Sequence, residues 1–184
     1  MKPKTKKVTL GICGGIAAYK ACELTRLLVK KNIDVRVMMT QSAQQFVTPL
    51  TLQTLSNNPV VTDMFLLSKD SHIQHVGLAD TADIVVIAPA TANIIAKAAH
   101  GICDNIVSTV INAATAPILF VPGMNVHMYN NPATVENIQK LTNWGRHFIG
   151  PDQGDLACGY KGRGRMAEPT AILNAILTLL KLKK

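Results

Sequence analysis

Short aliphatic runs separated by helix-length segments are the feature of this chain that most narrows its fold. KVTLGI (Lys7 to Ile12), DVRVMMT (Asp34 to Thr40), DIVVIAPA (Asp83 to Ala90), APILFVP (Ala116 to Pro122) and the shorter HFI (His147 to Ile149) are rich in β-branched and aliphatic residues. Such runs predict strands, and their lack of polar alternation predicts burial on both faces. Between and after them, apolar residues recur at helical spacing over Ile16 to Lys31, Ala92 to Ala99, Asn105 to Ala114, Pro132 to Asn143 and Thr170 to Leu182. A further helical stretch runs from Ser42 to about Leu55, with a break expected at Pro49. This β-α-β-α order, joined by right-handed crossovers, predicts an α/β fold: a doubly wound, Rossmann-like parallel sheet with helices on both faces.

At 184 residues the chain is the size of one domain, and no repeat or Pro/Gly/Ser linker divides it. The expectation is a single domain over 1–184 with short basic tails. Its core must be aliphatic, because hydrophobic residues make up 48% of the chain and aromatic residues only 4%. The formal net charge of +8 raises the question of a nucleic-acid partner. Seven of the 19 basic residues, however, sit at the two tips (Lys2, Lys4, Lys6, Lys7, Lys181, Lys183, Lys184), and the other 12 nearly balance 11 acidic ones. With no interleaved aromatics to stack bases, no nucleic-acid partner is expected. The most apolar region, Ile84 to Ile102, is interrupted by Pro89, Thr91, Asn93, Lys97 and His100, so no membrane span is expected either. Cys13, Cys22, Cys103 and Cys158 form no C-x-x-C pair, and no apolar signal core follows the basic N-terminus, which together predict reduced thiols and a cytoplasmic protein.

Doubly wound sheets bind ligands beyond the carboxyl ends of their strands, so the segments that follow each strand hold the candidate site. After the first strand, Gly14 and Gly15 lead into a helix expected to start near Ile16 and Ala17, where backbone amides and the helix dipole favour a phosphate. A plain tight turn explains the same glycines. After the second strand stand Thr40, Gln41 and Ser42, where a dinucleotide site would need an acid for its ribose; Asp34 lies at the other end of that strand. Hydroxyls suit a phosphate or ribityl chain, so a mononucleotide such as FMN fits better than NAD. After the third strand, APATAN (Ala88 to Asn93) supplies small residues, a turn held by Pro89, and Asn93 as a possible helix cap. After the fourth, VPGMNVHMYNNP (Val121 to Pro132) releases Asn125 between Met124 and Met128, although methionines taken singly more often fill cores than contact ligands. His72 and His75 could share a helical face, but with no third ligand in range no metal site is expected. LACGYKGRGRMAEP (Leu156 to Pro169) places Cys158 alone among glycines and cations, and the residues by themselves leave it either a turn filler or an acid on a mobile loop.

Taken in order, GGIAAYK, HVGLADTADIVVIAPATAN, GICDN, PGMNVHMYNNP and ACGYKGRGRMAEP resemble the homo-oligomeric flavin-containing cysteine decarboxylases, from about Val8 to Pro169. The resemblance implies FMN as cofactor, held by Gly14, Gly15, Ile16, Ala17, Thr40 and Ser42 on one side and by Pro89, Ala90, Thr91, Ala92 and Asn93 on the other. His75 matches the histidine of the family segment H-I-x-L-x-x-x-A-D, with Val76 in place of isoleucine, and would be the catalytic base. Asn125 matches the asparagine of P-x-M-N-x-x-M-W and would hold the substrate carboxylate between Met124 and Met128; Gly123 stands where alanine is common and Tyr129 where tryptophan is usual. Ala157 and Cys158 match the A-C-G of the flap that covers the substrate, with Cys158 as the acid. Lys161, Arg163 and Arg165 on the same segment would attract a substrate phosphate, or are simply solvated loop charges.

The branch of the family that the chain most resembles acts on 4'-phosphopantothenoylcysteine and makes 4'-phosphopantetheine on the way to coenzyme A. That chemistry needs an electron sink: a flavin takes a hydride from the sulfur-bearing carbon, and carbon dioxide then leaves to give a stabilised enethiolate. Histidine, which titrates nearest neutrality, suits the accompanying deprotonation. A thiol, titrating at about 8.5, suits protonation of carbon as the flavin returns the hydride. The resemblance also implies trimers, grouped or not into dodecamers, with neighbouring chains completing each site. Since no ligase sequence follows within the chain, the decarboxylase is expected to stand alone. Three other readings remain: a peptidyl-cysteine oxidative decarboxylase, whose branch lacks the flap cysteine; a non-catalytic flavoprotein regulatory subunit, which usually carries long acidic extensions; and a flavin prenyltransferase, whose pattern lacks the Asn125 and Cys158 segments.

Overall fold

The computed structural model describes residues 5–65, 74–155 and 159–182. Four of the aliphatic runs form the long strands β1 (Lys7–Ile12), β2 (Asp34–Met39), β4 (Ile84–Ala90) and β5 (Ile118–Pro122), and two-residue strands β3 (Val60–Val61) and β6 (His147–Phe148) flank them. All pair in parallel, in the order β3-β2-β1-β4-β5-β6. The doubly wound sheet read from the sequence is therefore present, and its order turns around at β1.

Each strand alternates its side chains between two apolar layers, as the period of two requires. Val8, Leu10 and Ile12 of β1, with Val35 and Val37 of β2 and Ile84 and Val86 of β4, pack under α1 (Ala18–Lys30), α2 (Pro49–Ser56) and α8 (Pro169–Leu179). Met38, Val85, Ile87, Ile118 and Phe120 face the opposite way, into α3 (Gln74–Asp80), α4 (Ala92–His100), α5 (Ile106–Ala113) and α7 (Pro132–Asn143). All seven residues of β4 are buried, which is why that run shows no polar alternation in the sequence.

Local chemistry sets several boundaries away from the positions expected. The stretch from Ser42 to Leu55 is not one helix broken by Pro49. It is a 3-10 turn over Gln41–Gln45, capped by the Thr40 hydroxyl, followed by α2, in which Pro49 occupies the first turn behind the Thr48 cap. Proline has no amide to lose there, so it starts the helix instead of interrupting it. Helix α1 begins at Ala18, two residues past Ile16, after a turn closed by Ala18 N–H donating to Gly15 O at 2.9 Å. The α4 cap is Thr91, whose hydroxyl accepts from Ile94 N–H at 3.3 Å; Asn93 already lies inside the helix and cannot take that role.

Elements without a hydrophobic period escaped the sequence reading. Helix α3 and the four-residue α6 (Val126–Tyr129) are two of them. A two-stranded antiparallel arm, β7 (Asp152–Asp155) with β8 (Lys161–Arg165), is the third. Its sequences, DQGD and KGRGR, are polar on both faces and carry no alternation to detect. Among the described residues no helix is long and apolar enough to cross a membrane.

Leu10 tests the layer that carries the sheet centre. Leu10→Ala, at a fully buried position on the middle strand, is expected to cost about 2–5 kcal/mol, combining lost transfer energy with the cavity left behind. Urea unfolding should show a lower midpoint with an unchanged slope.

Candidate active site

Reversal of strand order at β1 sends the chain to opposite faces after β1 and after β4, and a cleft opens between the two departing loops. Its volume is about 810 Å³, within the roughly 300–1,000 Å³ of small-molecule sites. Walls come from the carboxyl ends of β1, β2, β4 and β5 and from the arm.

The wall after β1 and β2 is a polar cradle. Gly14 touches the following loop so closely that a β-carbon on it would overlap Ser42, and Ser42's backbone carbonyl carbon would lie only 2.9 Å away. Backbone cannot yield as a flexible side chain can, so the two loops meet only because residue 14 is glycine. Gly15, Ile16, Ala17, Thr40, Gln41 and Ser42 complete this wall, and α1 begins on it with no side-chain cap over its first amides. The cap left open there favours an anion.

The wall after β4 contains Thr91, Ala92 and Asn93, as expected. Pro89 and Ala90 do not line the cleft: both are buried within β4, which runs on as a strand through Ala90 and keeps their side chains in the core. Beyond them lie Lys97 and Asp104, joined by a 2.5 Å ion pair, and Asn105, whose side chain caps α5 by accepting from Val107 and Ser108 N–H. Asp104's carboxyl is held below the usual carboxylate range, first by the hydrogen bond from Lys97 and then by its charge.

Met124, Asn125 and Met128 stand at the mouth after β5. Asn125 is the cap of α6, its Oδ1 accepting from His127 N–H at 2.8 Å. With the oxygen committed to the helix, the donors of this side chain are those of its NH₂ end, the chemistry a carboxylate requires. Gly164, Arg165 and Met166, at the end of the arm, line the cleft beside Met124, whose N–H donates to Gly164 O.

Lysine 20 is a residue the sequence reading missed. It is buried, lines the cleft, and donates to Glu168 Oε1 at 2.9 Å; Arg165 donates to the same oxygen at 2.8 Å. Glu168's carboxyl is pushed below its ordinary value, first by the Lys20 hydrogen bond, with Arg165 adding to it. The available signal was positional: Lys20 lies one turn before Leu24 on the buried face of α1, where a cation is out of place unless it is used. Lys97 likewise falls one turn after Asn93 on the cleft side of α4.

Other expected residues are elsewhere. His75 is in the first turn of α3 and does not line the cleft; its Nδ1 is buried and, among the described residues, has no hydrogen-bond partner. Lys161 is also outside the cleft, 86% exposed and 3.5 Å from Asp155 across the arm. Ala157, Cys158 and His72 lie outside the described residues. On the floor of the cleft is a different thiol, Cys13, 1% exposed. Burial pushes its pKa up to about 12, against the Thr91 backbone hydrogen bond and the charge of Lys97. Cys13 is therefore a neutral wall, neither acid nor nucleophile near neutral pH.

Comparison with known proteins places these features in context. The Flavoprotein family matches residues 1–181. The coenzyme A biosynthesis bifunctional protein CoaBC of Bacillus subtilis (strain 168) is 51% identical over 168 residues, 91% of this chain and 41% of that protein. The chain thus spans about two fifths of the length of this relative. Among solved structures, a PPC decarboxylase mutant complexed with pantothenoylaminoethenethiol superposes with a TM-score of 0.88 at 32% identity, covering 97% of this chain and 100% of that one. The FMN-dependent cysteine decarboxylase SpaF superposes with a TM-score of 0.82 at 28% identity, covering 97% and 96%.

The thiols offer a direct check on this geometry. With Cys13 titrating near 12, only about one molecule in ten thousand carries its thiolate at pH 8. Brief iodoacetamide treatment at that pH should label exposed Cys103, label Cys22 slowly because burial raises its pKa, and leave Cys13 unmodified until urea is added. Peptide mass mapping reads the order; early labelling of Cys13 would show that the cleft floor is open.

Proposed function

We propose, on the premise that the chain belongs to the Flavoprotein family, that it is an FMN-dependent decarboxylase converting 4'-phosphopantothenoylcysteine to 4'-phosphopantetheine in coenzyme A biosynthesis. One observation carries the reading: the Gly14–Ser42 cradle and the Asn125 cap of α6 open into the same cleft. The likeness to CoaBC and to the PPC decarboxylase complex supports the substrate, and the FMN-dependent relative supports the cofactor.

The donor set fits FMN. Gly14 and Gly15 with the open start of α1 suit its phosphate, the hydroxyls of Thr40 and Ser42 its ribityl chain, and Thr91, Ala92 and Asn93 give a flat wall of small residues for the ring. When bound, FMN supplies a two-electron acceptor at the sulfur-bearing carbon of the substrate. The protein's own part is orientation and proton transfer. Asn125 would hold the cysteinyl carboxylate with a neutral donor, which positions it without the charge that would oppose loss of carbon dioxide. Lys20 and Arg165, both fixed by Glu168, line the same cleft and would attract an anionic substrate. His75 would accept the proton released as the sulfur-bearing carbon is oxidised, and Cys158 would return a proton to carbon before reduction is complete.

Since His75 does not line the cleft of its own chain, the reading includes a homo-oligomer, a trimer or a dodecamer built from four trimers, in which a neighbouring copy supplies it. Two features support this. The three-residue link between α3 and β4 puts the end of α3 at the amino edge of the sheet, so the helix runs back toward the carboxyl edge, and His75 stands on its turn nearest that edge. Ile16, Tyr19, Phe46 and Leu50, between 48% and 71% exposed, gather large apolar side chains in and beside the segments that build the cradle, more than isolated surface residues require. The single domain over 1–184 and a cytoplasmic location belong to the same proposal.

Anaerobic incubation of the FMN-loaded protein with 4'-phosphopantothenoylcysteine should yield 4'-phosphopantetheine with no net bleaching of the flavin. Cys158→Ser should release carbon dioxide but accumulate the enethiol and reduced flavin, read together by mass spectrometry and absorbance. Normal turnover by that variant would remove Cys158 from its role, and a protein that binds no FMN would end the reading. Shared sites make a separate prediction. His75→Asn and Asn125→Asp variants, each inactive alone, should regain activity when unfolded together and reassembled; no recovery would place both residues in one chain's site.

A further inference from the structure

The arm does not hang free of the cleft, because its second strand is built onto the short helix that Asn125 caps. Met124 N–H donates to Gly164 O at 3.0 Å, joining the start of that helical turn to β8. Two residues on, Val126 lies flat against Gly162: a β-carbon placed on Gly162 would stand 2.8 Å from Val126 Cγ2 and 3.3 Å from its Cβ. His127 meets the edge of Tyr160 with ring centroids 5.0 Å apart, and the Arg163 guanidinium lies 5.7 Å from the centre of the Tyr129 ring. Thus Val126 and Tyr129 meet two residues of the strand and His127 meets Tyr160 just before it, and only the Gly162 contact leaves no room for adjustment. Valine is stiff about its single side-chain torsion, so relief would come from moving the turn itself.

We propose that Gly162 is a positioning residue for the carboxylate site, setting how deeply α6 seats on β8 and hence where the Asn125 amide stands at the cleft. This rests on the function proposed above, since it takes Asn125 as the group that receives the cysteinyl carboxylate. The φ of Gly162 is not in the left-handed region, so its glycine identity answers to space and not to backbone strain. The FMN cradle of Gly14 and Ser42 belongs to other loops, so displacing α6 should leave cofactor binding in place while altering recognition of the carboxylate.

Gly162→Ala in the FMN-loaded protein tests this with Val126→Ala as the compensating change. A shift of the turn by a fraction of an ångström to an ångström should lower kcat/KM for 4'-phosphopantothenoylcysteine about ten- to a hundredfold. Affinity for 4'-phosphopantetheine, which has no carboxylate, and for FMN should stay near wild type. Adding Val126→Ala removes the crowding methyl and should return kcat/KM to within about threefold of wild type, the non-additivity expected of residues in contact. Unchanged kcat/KM in Gly162→Ala overturns the proposal, as does a loss that Val126→Ala fails to rescue, or one in which affinity for the carboxylate-free product falls equally. If the unmodified protein binds FMN but does not turn over the substrate, the functional reading fails instead, and the two failures are distinct.

Discussion

The parallel pairing of β1 with β2 on one side and β4 on the other is the constraint on which the rest of this structure depends. Val8 and Leu10 stand opposite Val35 and Val37 in one direction and opposite Ile84 and Val86 in the other, so β1 is locked in register from both edges. Right-handed crossovers then carry the chain to one face after β1 and to the other after β4. No side chain has to hold the two loops apart, because the topology does. What the side chains determine is how close the loops come within one face, and there Gly14 settles the matter by letting the β1 loop rest directly on Ser42.

Charge in the cleft follows a consistent arrangement. Each cation that reaches it is held by a carboxylate at its rim: Lys20 and Arg165 by Glu168, and Lys97 by Asp104. A lysine fixed in this way loses little further freedom when an anion arrives. The depressed acidity ranges of Glu168 and Asp104 are the same fact seen from the other partner. Both carboxylates are largely exposed, so these pairs arrange the site more than they stabilise the fold. Cys13, by contrast, has been neutralised by burial, which leaves the floor of the cleft chemically quiet beneath the groups that act.

The sequence disclosed what depends on period and composition. β1 and α7 fall at the residues their patterns mark, Lys7–Ile12 and Pro132–Asn143, because burial on both faces and a clean helical repeat leave no alternative. Most of the cleft was legible for the same reason: once the strands are known, Gly14, Ser42, Thr91 and Asn125 must lie at one end of the sheet. Pro89 and Ala90 lie inside β4 and not after it, because a motif in sequence does not say which residue ends the strand, and here the strand outlasts the proline. The arm was illegible, since DQGD and KGRGR are strands by pairing alone and owe nothing to hydrophobic alternation. Lys20 went unread for the opposite reason: it hides within a helix whose apolar face is otherwise regular.

The arm's polarity is itself informative. A hairpin of two strands with no apolar face cannot persist in water unaided, so this one must draw its order from what it touches. Its contacts run along β8: Arg163 Nε donates to Pro151 O at 3.2 Å, Met124 N–H to Gly164 O, Gly162 packs on Val126, and Tyr160 and Arg163 meet the rings of His127 and Tyr129 on α6. Between the two strands, Lys161 with Asp155 forms only a solvated pair. Order imposed along β8 makes that strand an extension of the Asn125 turn. The order of the arm and the position of the Asn125 turn therefore have one physical origin, the packing of β8 on α6.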